Sequence, residues 1–234
     1  MKINGLDIKK YGAKQLTVDI STSSISNNSE YNINALLPMF LDGNISFKNI
    51  DVCLLFKGNS RDEILENISN LISELLGVVT LNLDGYTNLF NVVLNDTNTE
   101  KTKSKYAYKK VLNFIGYEYK EEVTEEIDRF TSKIIDINVN GNLTTPAIIE
   151  IIPTIDLVDI TIEGLADDPI IIKNLTADKK VIVDGELQKV TVDGVNKYGD
   201  TDMWDFPRLK PGANTIIVNK NNCDIKIKYK PRYI

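Results

Sequence analysis

Histidine is absent from this 234-residue chain. With it go the commonest general base and the commonest transition-metal ligand. Ser-His-Asp and Cys-His catalysis are excluded, as are the usual zinc sites. No catalytic, cofactor or metal residues are expected. Cysteine occurs twice, as Cys53 and Cys223; the two are far apart, and Cys53 sits within an apolar strand pattern, so two free thiols are expected. Arginine is scarce, with four residues (Arg61, Arg129, Arg208, Arg232) among 27 basic ones. The planar forks that read phosphate and guanine are correspondingly few. The net charge of −6 comes without a basic block. Counterion release from nucleic acid needs a basic face, so no specific nucleic-acid binding is expected. No apolar run approaches the roughly 20 residues that span a membrane. The opening residues Met1 to Asp7 lack a signal-peptide core, and synthesis in the cytoplasm is expected.

What is present is enough for a real core: 42% of residues are hydrophobic and 26% charged. Ile45, Phe47 and the run Ile50 to Phe56 read as strands. Ser60 and Glu63, three residues apart, form a capping box. Ile64, Leu65, Ile68, Leu71, Ile72, Leu75 and Leu76 then make one helical stripe, closed by Gly77 at the position of a left-handed cap. From Val78 the reading is β. Val78 to Leu83 leads into an Asp84-Gly85 hairpin turn and a return strand Thr87 to Leu94. Asn95 to Ser104 reads as an exposed loop, and Tyr106 to Tyr119 as a further pair of strands. The charged segment Glu121 to Asp128 is either a short helix or a loop and marks a domain boundary. Beyond Ser132 about eight short strands follow at the turn spacing of a sandwich or barrel, with Asp184-Gly185 as a type I′ hairpin turn. The fold class is mainly β with one N-terminal helix, in two domains: an α+β domain over 1–131 and a β-sandwich over 132–234.

The lone tryptophan opens the string Trp204-Asp-Phe-Pro-Arg-Leu-Lys-Pro-Gly-Ala-Asn214. Two readings compete. Aromatic faces beside polar groups suit a sugar-stacking platform. Alternatively, Pro207 and Pro211 pin a loop that turns at Gly212 and tucks its aromatic and aliphatic side chains under the sandwich edge. The second is favoured, and makes Trp204, Phe206, Pro207, Leu209, Pro211, Gly212 and Asn214 a structural loop motif. The carboxylates of Asp200, Asp202 and Asp205 lack the central Gly and final Glu of a calcium loop, and read as a solvated acidic loop. Glu121, Glu122, Glu125 and Glu126 form a solvated run, not a glycosidase pair held in a cleft.

Two stretches together resemble the distal tail proteins of long-tailed phages and phage-like particles. One is the strand-Gly-Asn-capped helix "FKGNSRDEILENISNLISELLG", from Phe56 to Gly77. The other is the closing string "VIVDGELQKVTVDG…WDFPRLKPGANTIIV", from Val181 to Val218. The resemblance implies a structural, non-enzymatic protein with a ring-forming N-terminal domain and a galectin-like C-terminal β-sandwich. It further implies a hexameric ring between the tail-tube protein and the tail-tip or baseplate proteins, with receptor-binding proteins as further partners. DNA would pass through the lumen, and the protein would reside in the particle's tail tip. A carbohydrate-binding module recognising cell-wall glycan is the alternative, with Trp204 as its platform.

Overall fold

The computed structural model describes residues 1–34, 36–100, 102, 104, 106–127 and 134–234. The chain divides into two compact units, Met1–Tyr119 with Ile234, and Lys120–Tyr233. The expected boundary between 131 and 132 lies outside the described residues.

The first unit contains β1 (Lys2–Ile3), β2 (Leu6–Asp7), a 3₁₀ turn (Ile8–Tyr11), β3 (Ala13–Ser21), β4 (Ile25–Glu30), β5 (Met39–Ile45), β6 (Lys48–Lys57), α1 (Arg61–Ser73), β7 (Val78–Asn82), β8 (Leu89–Glu100) and β9 (Ala107–Tyr119). Its main sheet runs in the order β2-β1-β7-β8-β9-β6-β3. Strand β6 shows why the sheet has one wet and one dry face. Ile50, Val52, Leu54 and Phe56 are buried, and the residues between them are not. That period of two sends alternate side chains to opposite faces.

Helix α1 covers the dry face and shares its core through Ile64, Ile68 and Leu71, with Leu75 just beyond its end. Its start is the expected one: Ser60 Oγ accepts from Glu63 N at 3.1 Å. The reciprocal bond is shifted by one residue, with Glu63 Oε2 accepting from Asn59 N at 2.8 Å. Two members of the expected stripe, Leu65 and Leu76, face solvent. The helix is therefore dry on a narrower arc than its sequence suggests, because the sheet meets it along one line.

Two expectations for this unit change. Asn95 to Glu100 is not a loop but the continuation of β8, which pairs with β9 from Leu89↔Tyr119 to Glu100↔Lys109 across a bulge between Leu94 and Asp96. Residues 106–119 supply one strand and not two, since β9 runs unbroken between β8 and β6. Backbone pairing with β9 supports a polar strand that side-chain pattern alone reads as loop.

The second unit contains β10 (Val123–Ile127), β11 (Ile134–Val139), β12 (Thr145–Pro153), β13 (Leu157–Glu163), β14 (Ile170–Leu175), β15 (Val181–Asp184), β16 (Lys189–Val192), β17 (Val195–Asn196), a 3₁₀ turn (Tyr198–Asp200), β18 (Thr201–Asp202), β19 (Arg208–Leu209), β20 (Gly212–Val218) and β21 (Cys223–Tyr229). One sheet runs β10-β21-β12-β15-β16-β17, with β19 added at the start of β12; the other runs β11-β20-β13-β14-β18. Inward residues of both sheets, among them Ile149, Ile151, Ile160, Ile172, Ile216 and Ile227, form a single core. This is a β-sandwich. The charged segment after Glu121 is neither helix nor loop: β10 pairs with β21 from Val123↔Tyr229 to Ile127↔Ile225. Cys223 is buried, and burial pushes its thiol up to about 11. It is a core side chain and not a reactive thiol.

Asp184-Gly185 is not a type I′ turn. Asp184 Oδ1 accepts from the amides of Glu186 and Leu187, both at 2.8 Å, in a longer loop before β16. The left-handed residue there is Gln188, at φ +54°. The two-residue turn with positive φ at both positions falls instead on Asp193 (φ +50°) and Gly194 (φ +81°), between β16 and β17. That is the combination a type I′ hairpin requires.

Candidate assembly surface and the C-terminal loop

Strands β3 and β6 pair until Ser21↔Asn49. The chain between them does not turn at once but runs out as an arm made of β4 and β5. Serines tie its base: Ser46 N donates to Ser24 O and Ser24 N to Ser46 Oγ, each at 2.9 Å. From there β4 and β5 pair from Ile25↔Ile45 to Glu30↔Met39, with a bulge between Asn28 and Ser29. They form a sheet of their own. Every residue of both strands is exposed. Ile25, Phe40 and Leu41 on the strands, and Ile33, Leu36 and Leu37 in the connection between them, present large apolar side chains to solvent.

An isolated two-stranded hairpin is marginal in water. Contiguous exposed apolar surface of this kind marks a place where something else packs. Sequence reasoning passed over the arm. Its signal was the run Leu36-Leu37-Pro38-Met39-Phe40-Leu41, apolar without the alternation of a half-buried strand.

The C-terminal loop motif is brought together as one bonded unit, with Trp204 outside it. Pro207 is buried and its carbonyl accepts from Ala147 N at 2.9 Å. Leu209 is fully buried, and Arg208–Leu209 pairs with Thr145–Pro146. Asn214 Oδ1 accepts from Lys210 N at 2.9 Å, while Nδ2 donates to Lys210 O at 2.8 Å and Gly212 O at 2.9 Å. Gly212 turns the chain at φ +84°, and Pro211 is exposed at the tip. Phe206 packs partly against the core beside Met203. Trp204 is 87% exposed and is not the buried plug expected of it. Met203 and Phe206 take the inward positions of this segment and leave the indole pointing away.

The acidic loop is a set of paired carboxylates. Asp200 accepts from Lys197 Nζ at 2.8 Å and Asn174 Nδ2 at 3.0 Å, and the lysine bond holds its carboxyl below the usual range. Asp205 accepts from Arg208 at 3.1 Å. No group of acidic, histidine or cysteine residues is arranged to hold a metal among the described residues. Glu126 pairs with Lys226 across β10 and β21 at 2.5 Å. Among the described residues no helix is long and apolar enough to cross a membrane.

Residues 140–233 match the family profile described as siphovirus-type tail component, C-terminal domain. In three dimensions the chain is similar to the Dit protein of phage SPP1, described as a paradigm of the hub adsorption apparatus in phages infecting Gram-positive hosts. That likeness has a TM-score of 0.77 at 13% identity, over 99% of this chain and 98% of that one. Its fold is that of the phage distal tail proteins. A chain of the phage P2 baseplate in its activated conformation with calcium is also similar, with a TM-score of 0.59 at 13% identity over 95% of this chain and 92% of that one. The same baseplate with strontium gives 0.58. No curated protein sequence matches the chain. The distal tail fold accounts for both units and the single described helix.

Proposed function

We propose that this chain is a structural, non-enzymatic ring subunit of a phage or phage-like tail tip, joining the tail tube to the tip or baseplate proteins. The observation that carries this reading is the end-to-end likeness to the SPP1 hub protein, both chains being covered almost completely. The tail-component profile over 140–233 supports it independently, because it rests on sequence and not on shape.

The arm supplies a physical reason for assembly. Its apolar side chains have no cover within β4 and β5, and burying each against a neighbouring copy is worth roughly 1.5–3 kcal/mol. Identical chains that each offer one arm and one acceptor surface make a heterologous contact, which closes into a ring when the rotation allows. Six copies is the ring size we infer from the family resemblance. Tail-tube and tip proteins are the partners, and the virion tail tip is the location.

The test is the solution mass of the purified chain by light scattering, with electron micrographs of the same sample. Closed six-membered rings are expected. A Leu36→Asp, Leu37→Asp double variant should fall to monomer with its strand content unchanged. A chain that stays monomeric at every concentration, and is missing from purified tail tips, would overturn the reading.

A further inference from the structure

The second unit carries a groove on which the proposed function does not draw. Gln188, Lys189, Thr191, Asn196, Tyr198 and Phe206 line it, and its volume is about 510 Å³. Small-molecule sites occupy roughly 300–1,000 Å³. Local structure builds it. The Asp193-Gly194 turn folds β17 back on β16 and sets Thr191 opposite Asn196. The chain then enters the 3₁₀ turn. Asn196 Oδ1 accepts from Tyr198 N at 2.9 Å, and Thr201 Oγ1 donates to Tyr198 O at 2.7 Å.

The backbone of Tyr198 is thus held at both its amide and its carbonyl. Its ring is held as well, stacked on Phe206 with centroids 5.9 Å apart and planes at 22°. Phe206 in turn packs on the sandwich core. Tyr198 is nevertheless 48% exposed. Gln188, also lining the groove, sits in a left-handed conformation that residues other than glycine adopt rarely.

The chemistry of the lining selects a ligand class. A fixed aromatic ring offers an apolar face, and the amides of Gln188 and Asn196 with the hydroxyl of Thr191 both donate and accept hydrogen bonds. One lysine and no arginine line the groove. Tight recognition of phosphate or carboxylate favours the bidentate arginine fork that is missing here. A purely apolar ligand would leave the amides without partners. A sugar ring answers both demands, with an apolar C–H face and a rim of uncharged hydroxyls. We propose that this groove binds a neutral saccharide, with Tyr198 as the stacking platform and Asn196 and Gln188 as hydroxyl partners. Trp204 does not line the groove.

The full-length chain is screened on an array of neutral and acidic oligosaccharides, and the best neutral sugar is titrated by calorimetry. Tyr198→Ala should weaken its binding by on the order of tenfold, the loss of about 1.4 kcal/mol. Tyr198→Phe, which keeps the ring, should bind like wild type. Asn196→Asp should bind more weakly, and Trp204→Ala should be unchanged. Thermal unfolding of each variant checks that the sandwich persists, and Asn196→Asp, whose side chain still accepts from Tyr198 N, carries the test if Tyr198→Ala does not fold. Retention of no neutral sugar at millimolar concentration, binding confined to acidic sugars, or equal affinity of Tyr198→Ala and wild type would each overturn the proposal. Ring formation is scored separately by mass and stands or falls on its own.

Discussion

Strands β5 and β21 are both seven residues long and both antiparallel, and they have opposite fates. In β21 the residues Cys223, Ile225, Ile227 and Tyr229 are buried, while Asp224, Lys226 and Lys228 alternate with them. It has a neighbour on either side, β10 and β12, and a second sheet beneath it. In β5 the apolar residues Met39, Phe40 and Leu41 are consecutive, and all seven residues are exposed. Its one partner is β4. A strand whose apolar residues alternate has its dry face covered inside its own unit. A strand apolar on both faces needs cover from elsewhere. Matched truncations make the contrast measurable. Ile227→Ala should lower unfolding stability by about 2–5 kcal/mol through the lost burial and the cavity left behind. Leu41→Ala should change it by less than about 0.5 kcal/mol, as exposed sites do, while weakening assembly. Denaturant unfolding of both variants at a concentration where the chain is monomeric checks this. Equal losses would erase the distinction between core and arm.

The same logic explains what was legible in the sequence. Helix α1 could be read because cap, stripe and terminator agree: Ser60 bonds Glu63 N at 3.1 Å, and Gly77 sits at φ +85°. Sandwich strands such as β12, β20 and β21 could be read because their alternation is strict. The end of β8 could not, since Asn95 to Glu100 owes its extended form to β9 and not to its own side chains. The arm could not either, because its apolar residues join neither of the chain's two cores. The Asp-Gly pairs are the sharpest case. Asp193-Gly194 needs glycine for its positive φ, with open space around it. Gly185 needs the missing side chain instead: a Cβ there would stand 2.2 Å from Pro207 O and 2.7 Å from Ala147 O. The dipeptide is identical, and only the fold decides which property of glycine is used. Gly185→Ala should therefore cost about 1–3 kcal/mol by overpacking. At position 194 an asparagine, which tolerates the left-handed region, should be accepted nearly without cost. Thermal unfolding of Gly185→Asn beside Gly194→Asn separates the two; equal tolerance would show that the close approach at Gly185 relaxes freely.

The second unit also carries an electrostatic dependence. Glu150 on β12 is largely buried, with Lys228 at 2.8 Å and Lys180 at 3.5 Å. The hydrogen bond from Lys228 holds its carboxyl below its ordinary value of 4.5. A carboxyl lowered in the folded state contributes stability that is complete above its unfolded value and disappears as pH falls through the folded one. Stability of the second unit should accordingly decline below about pH 4.5, and Glu150→Gln should make that decline shallower while lowering stability at neutral pH. Unfolding midpoints measured from pH 7 downward for both proteins test the sign. A Gln variant with an unchanged acid limb would assign the decline to other carboxylates.

The smallest expected effect falls on the residue that looks most important in the sequence. A buried indole would cost about 3–5 kcal/mol on truncation, but Trp204 is 87% exposed. Its neighbours carry the packing: Leu209 is fully buried, and Asn214 holds the loop through Lys210 and Gly212. Trp204→Ala should thus alter stability by less than about 0.5 kcal/mol, whereas Leu209→Ala should cost about 2–5 kcal/mol. Indole fluorescence gives a second readout of the same geometry, because an exposed ring should be quenched readily by iodide in the native protein. A protected indole with a large loss on truncation would mean that Trp204 is covered after all, and in an exposed loop only a neighbouring copy or partner protein supplies that cover. The dilution dependence of the quenching in the purified protein then identifies a neighbouring copy, since cover by a second copy fades as the protein is diluted.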